Sequence, residues 1–155
     1  MKCAVSKKMI VVVVVFAGVF SAMVYSHCQI PCGIYDDPAR FGMIAEHIAT
    51  IEKSMKQIEE LSQETKPNMN QIVRWVGNKD AHADELSEIV TYYFMAQRIK
   101  PVDKADTKAY DKYVKKLTLL HEMLVYSMKA KQTTDLANVE KLKALLAEFR
   151  PAYSD

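Results

Sequence analysis

Half of the 155 residues are apolar and 26% are charged, the balance of one folded globular domain rather than of a disordered tail or two independent domains. With only 4 glycines and 5 prolines the chain lacks the turn punctuation of a β-sandwich or barrel, and its many Lys, Glu, Leu, Met and Ala residues favour helices. The formal net charge of +2 falls to about −1 without residues 1–26, which carry three lysines, and this argues against a nucleic-acid partner.

At the amino terminus, Lys2, Lys7 and Lys8 precede an apolar run from Met9 to Tyr25, the layout of an export signal. Val24 and Ser26 suit the recognition positions of a cleavage site, so residues 1–26 are expected to be removed and residues 27–155 to form the working domain. The competing reading is an uncleaved anchor, because the run approaches the roughly 18 to 20 apolar residues that span a bilayer. Cleavage would leave 129 residues in which 18 basic side chains face 19 acidic ones, and Cys3 would go with the signal. Cys28 and Cys32 then remain in an exported chain, periplasmic or extracellular, that meets a membrane only through its signal.

Residues 27–35 have no hydrophobic period and carry Pro31 and Gly33, which reads as an irregular arm. Asp36-Asp37-Pro38 signals a helix start, with a capping Asp and Pro at the first helical position. Ile44, Ile48, Ile51, Met55, Ile58 and Ser62 follow in steps of four and three, an apolar seam on a helix of roughly 25 residues. Lys66-Pro67-Asn68 opens a second helix, in which Ile72, Val76, Ala83, Leu86, Val90 and Tyr93 keep the spacing until Pro101. Gly77 within it marks a bend or a close approach. A third seam runs through Tyr110, Val114, Leu117, Leu120, Leu124 and Met128. Thr133, Thr134 or Asp135 caps a fourth, through Leu136, Val139, Leu142, Leu145 or Leu146 and Phe149, with Pro151 just beyond its end. Four amphipathic helices with short connections predict an all-α fold, an up-down antiparallel four-helix bundle over residues 38–150 preceded by the arm.

Several chemistries are absent. A di-iron bundle needs inward Glu-x-x-His pairs, yet Ile44, Lys79 and Thr118 stand three residues before His47, His82 and His121. There is no Cys-x-x-Cys-His for haem, no His-Glu-x-x-His for a zinc protease and no second cysteine pair for a four-thiolate zinc site. The three helical histidines read as solvated or hydrogen-bonded helix residues. The Met residues read as core filler.

The arm differs from all of these. Cleavage after Ser26 places a free α-amine, an imidazole and a thiol on the consecutive residues His27 and Cys28. The amine and the Cys28 backbone nitrogen, once deprotonated, would close a five-membered ring on a metal, and that nitrogen with the Cys28 sulfur would close another. Cys32 returns around a Pro-containing turn with a second thiolate, while the His27 ring reaches an axial position. Two nitrogens and two sulfurs in a plane suit Ni(II) or Cu(II).

His27-Cys28-Gln29-Ile30-Pro31-Cys32-Gly33-Ile34-Tyr35 resembles the nickel hook of the nickel-containing superoxide dismutases, whose mature amino terminus reads His-Cys-x-x-Pro-Cys-Gly-x-Tyr. The resemblance implies a nickel ion bound by His27, Cys28 and Cys32, disproportionation of superoxide, and a four-helix subunit assembled as a hexamer. It also implies that Tyr35 screens the open face of the metal, where its hydroxyl holds water or peroxide. A buried anchor for the arm is the other reading of Tyr35. A cis bond before Pro31 would bring Cys32 back to the metal.

Some family features are not evident. In better-known members a glutamate of the first helix and an arginine of the second bind the axial imidazole. Glu46 is the nearest acidic residue here, and Asn78 or Lys79 stands where the arginine is expected. Two other readings of the arm remain open: a Cys28-Cys32 disulfide in an exported helical protein without activity, and a copper- or nickel-binding arm that is not an enzyme.

Overall fold

The computed structural model describes residues 32–154. The chain divides into two compact units, Met1–Cys32 and Gly33–Asp155, and the second contains four helices. Helix α1 spans Asp37–Ser62, and α2 spans Met69–Glu88 and runs on as π-helical turns through Ile89–Arg98. Helices α3 and α4 span Thr107–Gln132 and Ala137–Ser154. No strand occurs among the described residues, and no described helix is long and apolar enough to cross a membrane.

Local chemistry sets the helix starts. The side chains of Asp36, Asn68 and Asp106 accept hydrogen bonds from the backbone N–H groups of Ala39, Gln71 and Ala109, satisfying donors that a helix leaves open. The antiparallel order follows from hydrogen bonds between opposite ends. Asp37, at the start of α1, meets Arg98 at the end of the second helix and Tyr153 at the end of the fourth. Lys79, midway along α2, meets Ala130 and Lys131 at the end of α3, while Ser87, further on, meets Ser127, further back. Lys116, early in α3, meets the Tyr153 carbonyl. Each helix therefore runs against the next, and α4 closes on α1, giving the expected up-down bundle.

The α1 seam is the core of this arrangement: Ile44, Ile48, Ile51, Met55 and Ile58 are buried, while Ser62 is exposed. The other seams need correction. In α2, Val76 is exposed and Ile72 only half-buried, and burial begins at Lys79 and Ala83. Nothing lies near Gly77 that a Cβ would meet, so it marks no close approach. The buried face of α3 is Leu119, Leu120, Met123, Ser127 and Ala130, rotated from the predicted seam, and it leaves Val114 and Met128 exposed. Small residues decide that rotation, because the Ser127 hydroxyl donates to the Ala83 carbonyl at 2.7 Å and accepts from the Ser87 hydroxyl at 3.2 Å. These bonds draw the two helices together where a longer side chain would hold them apart.

Pro151 does not end α4, which continues to Ser154. Proline removes one backbone donor and crowds the preceding turn, but the last turn carries Tyr153 into a cluster with Phe41, Phe94 and Phe149, ring centroids 5.5 to 5.6 Å away. In the π-helical turns the hydrogen bonds reach five residues back. Ile99 N–H donates to the Phe94 carbonyl at 2.9 Å, and the Gln97 side chain follows the same step, its Nε2 donating to the Tyr92 carbonyl at 2.7 Å. The wider turns present Tyr93, Phe94, Gln97 and Arg98 at the end of the bundle that faces the start of α1.

Candidate functional site

At the arm end of the bundle, Gly33 has φ +73°, a left-handed conformation in which any side chain is strained, although the surrounding space is open. The glycine after Cys32 is thus set by backbone geometry. Cys32 itself is exposed, and its thiol has no disulfide partner among the described residues. Three residues on, the Tyr35 ring lies under the Arg98 guanidinium, 4.4 Å from ring centroid to carbon, and edge-on to Tyr93 at 6.0 Å. It is 43% exposed in the single chain.

Below Tyr35, Asp37 gathers the ends of three helices. Its Oδ1 accepts from the Tyr93 hydroxyl at 2.5 Å and from Arg98 Nε at 2.9 Å. Its Oδ2 accepts from Arg98 Nη2 and from the Tyr153 hydroxyl, both at 2.7 Å. The two-pronged bond from Arg98 holds the Asp37 carboxyl at about 2, against the opposing effect of burial. Burial, and then the bond to Asp37, push the Tyr93 and Tyr153 hydroxyls up to about 12. Arg98 is held still more firmly charged by Asp37. Beside this cluster opens a cleft of about 460 Å³, lined among others by Arg98, Lys100, Lys112 and Lys116, with Asp37 its one carboxylate. That carboxylate is already paired, so the cleft is positive and attracts anions.

Tyr35 differs from its neighbours in one respect. Tyr93 and Tyr153 give their hydroxyls to Asp37, whereas the Tyr35 hydroxyl has no partner among the described residues.

A second cluster lies further along α1 and α2. His47 Nδ1 and His82 Nδ1 are 2.8 Å apart, and Glu85 Oε2 is 3.4 Å from the first and 3.5 Å from the second. Burial holds the His47 imidazole below its ordinary value, opposed by Glu85. These histidines are thus paired across two helices, which their sequence context did not suggest.

Of the expected ligands, His27 and Cys28 lie outside the described residues, as does the bond before Pro31. The suggested partners of the axial imidazole are mostly engaged within the bundle. Asn78 donates to the Ser54 hydroxyl at 3.0 Å, and Lys79 is buried with its ammonium bound to two α3 carbonyls, while Glu46 is exposed. Arg98, which the sequence did not single out, packs instead against the Tyr35 ring and binds Asp37.

Neither a search of curated proteins nor one of solved structures returns a match. A scan of family models gives a match to nickel-containing superoxide dismutase over residues 22–155, which takes in the arm and the whole bundle. The chain therefore belongs to the nickel-containing superoxide dismutase family, and is an oxidoreductase with nickel as cofactor and superoxide as substrate.

Proposed function

We propose that cleavage after Ser26 frees the His27 amine, and that this amine, the His27 ring, the backbone nitrogen and thiolate of Cys28 and the thiolate of Cys32 hold the nickel. The donor set fits the metal: planar nitrogen and thiolate ligands suit Ni(II) and stabilise its higher oxidation state. Bound there, nickel supplies the one-electron chemistry by which two superoxide ions and two protons become dioxygen and hydrogen peroxide. The chain's own residues do the rest. Gly33 turns the backbone after Cys32, and Arg98 fixes the Tyr35 ring from one face. The Tyr35 hydroxyl holds water or a small anion and passes its proton to the reduced product, while the cationic cleft draws superoxide toward this end of the bundle.

The observation that carries this reading is the unclaimed Tyr35 hydroxyl beside two tyrosines whose hydroxyls are committed to Asp37. A Cys28-Cys32 disulfide would account for neither His27 at the cleavage point nor Tyr35 beyond the arm, which favours the metal reading. Export to the periplasm or outside the cell, and assembly into a hexamer that shelters the arm, complete the proposal. The test combines amino-terminal analysis, nickel content and superoxide consumption for the native protein and for Cys28→Ser and Cys32→Ser. Both substitutions should abolish nickel binding and activity while leaving helicity unchanged. Undiminished superoxide removal by either variant rules out this ligand set.

A further inference from the structure

We propose that His47, His82 and Glu85 form a second divalent-cation site, one that takes Zn(II) through two imidazole nitrogens and a carboxylate and uses none of the nickel ligands. His82 and Glu85 stand one helical turn apart on the same face of α2. His47 faces them from α1, between the buried Ile44 and Ile48.

Their three donor atoms lie within 4.8 Å of one another. The two Nδ1 atoms, 2.8 Å apart, share a single proton, because a hydrogen bond between them needs one donor and one bare acceptor. Glu85 Oε2 adds a third electron-rich atom at 3.4 and 3.5 Å. Lone pairs that converge in this way with one proton among them are matched better by a cation.

Size agrees with that chemistry. Ligands about 2.0 to 2.1 Å from a tetrahedral zinc lie about 3.3 to 3.4 Å from each other. The two His–Glu separations already meet this, and the His–His separation meets it once zinc takes the place of the shared proton and the rings part by about 0.5 Å. His47 is 8% exposed and held by the α1 core, whereas the Glu85 side chain is 55% exposed, so one wall of the site is rigid and the other open to an entering ion. Two nitrogens and one oxygen suit a borderline cation; magnesium and calcium prefer all-oxygen shells. Two histidines and a glutamate with water as fourth ligand is an established zinc donor set. The ion would join α1 to α2 and stabilise the bundle by an amount that rises with the logarithm of free zinc above its dissociation constant.

The test is titration of the nickel-loaded protein, and separately of the Cys28→Ser/Cys32→Ser double variant, with zinc sulfate, read by equilibrium dialysis and thermal unfolding. The proposal expects one zinc per chain in both proteins and a rise in unfolding temperature. His82→Ala and the nearly isosteric Glu85→Gln should each weaken zinc binding by roughly 10- to 100-fold or more and remove the thermal shift, with nickel content unchanged. His121→Ala should bind zinc like the native chain. Absence of stoichiometric zinc from both proteins, or zinc uptake that survives Glu85→Gln and His47→Gln, overturns the site. Zinc uptake by the nickel-loaded protein that disappears in the double cysteine variant overturns it as well, since the thiols would then be the ligands.

Discussion

Replacing Asp37 by Asn removes the charge on which the ends of α1, α2 and α4 converge. The native carboxyl is held at about 2 against an ordinary 3.8, chiefly by Arg98, and at about 1.4 kcal/mol per tenfold this favours the folded state by roughly 2 kcal/mol. Because the folded value is the lower one, the contribution is complete at neutral pH. It is lost as pH falls from about 4 to about 2. The native protein should therefore lead Asp37→Asn by roughly 2 kcal/mol at pH 7, or about 1 M in the urea midpoint, and the lead should shrink toward zero by pH 2. The assay is urea unfolding followed by far-ultraviolet circular dichroism across that range at fixed protein concentration. A deficit that stays constant between pH 7 and pH 2.5 would show that Asn disturbs packing and that the ion pair contributes nothing. Arg98→Met supplies a control, since its effect and that of Asp37→Asn should be strongly non-additive.

Tyr35→Phe keeps the ring against Arg98 and removes only the hydroxyl, so stability should change by less than about 0.5 kcal/mol and nickel content not at all. Superoxide turnover should fall by roughly tenfold or more, as on loss of a positioned proton donor, and pulse-radiolysis rates equal to native would exclude a role for the hydroxyl. Lys79→Met leaves two carbonyls at the end of α3 without their ammonium partner and should cost about 2 kcal/mol in urea unfolding. A neutral or stabilised variant would mean that burying the charge already offsets its bonds.

The sequence reading succeeded where information is local. The α1 seam lies entirely within one helix and alternates large apolar with polar residues, so its period alone identifies the buried face. The α3 face could not be read that way, because Ser127 is buried by its bonds to Ala83 and Ser87, a property of a neighbour 40 or more residues away. Pro151 misled for a similar reason: the force that carries the helix past it comes largely from Phe41 and Phe94, rings on two other helices. The family is legible in the contiguous segment 27–35, and the match over residues 22–155 agrees with it. The Asp37 cluster joins residues 56 to 116 positions apart, and neither the π-helical turns that present Arg98 nor the pairing of His47 with His82 leaves a periodic trace.

The bond from Tyr153 to Asp37 has a practical consequence for handling the protein. The final helical turn braces Asp37 at the start of α1, so trimming by a carboxypeptidase back into that turn, or an affinity tag fused close behind it, would unsettle the start of the first helix. Fusion partners are better spaced by a flexible linker, and a drop in enzymatic yield from tagged preparations should be checked against tag removal before it is blamed on metal supply.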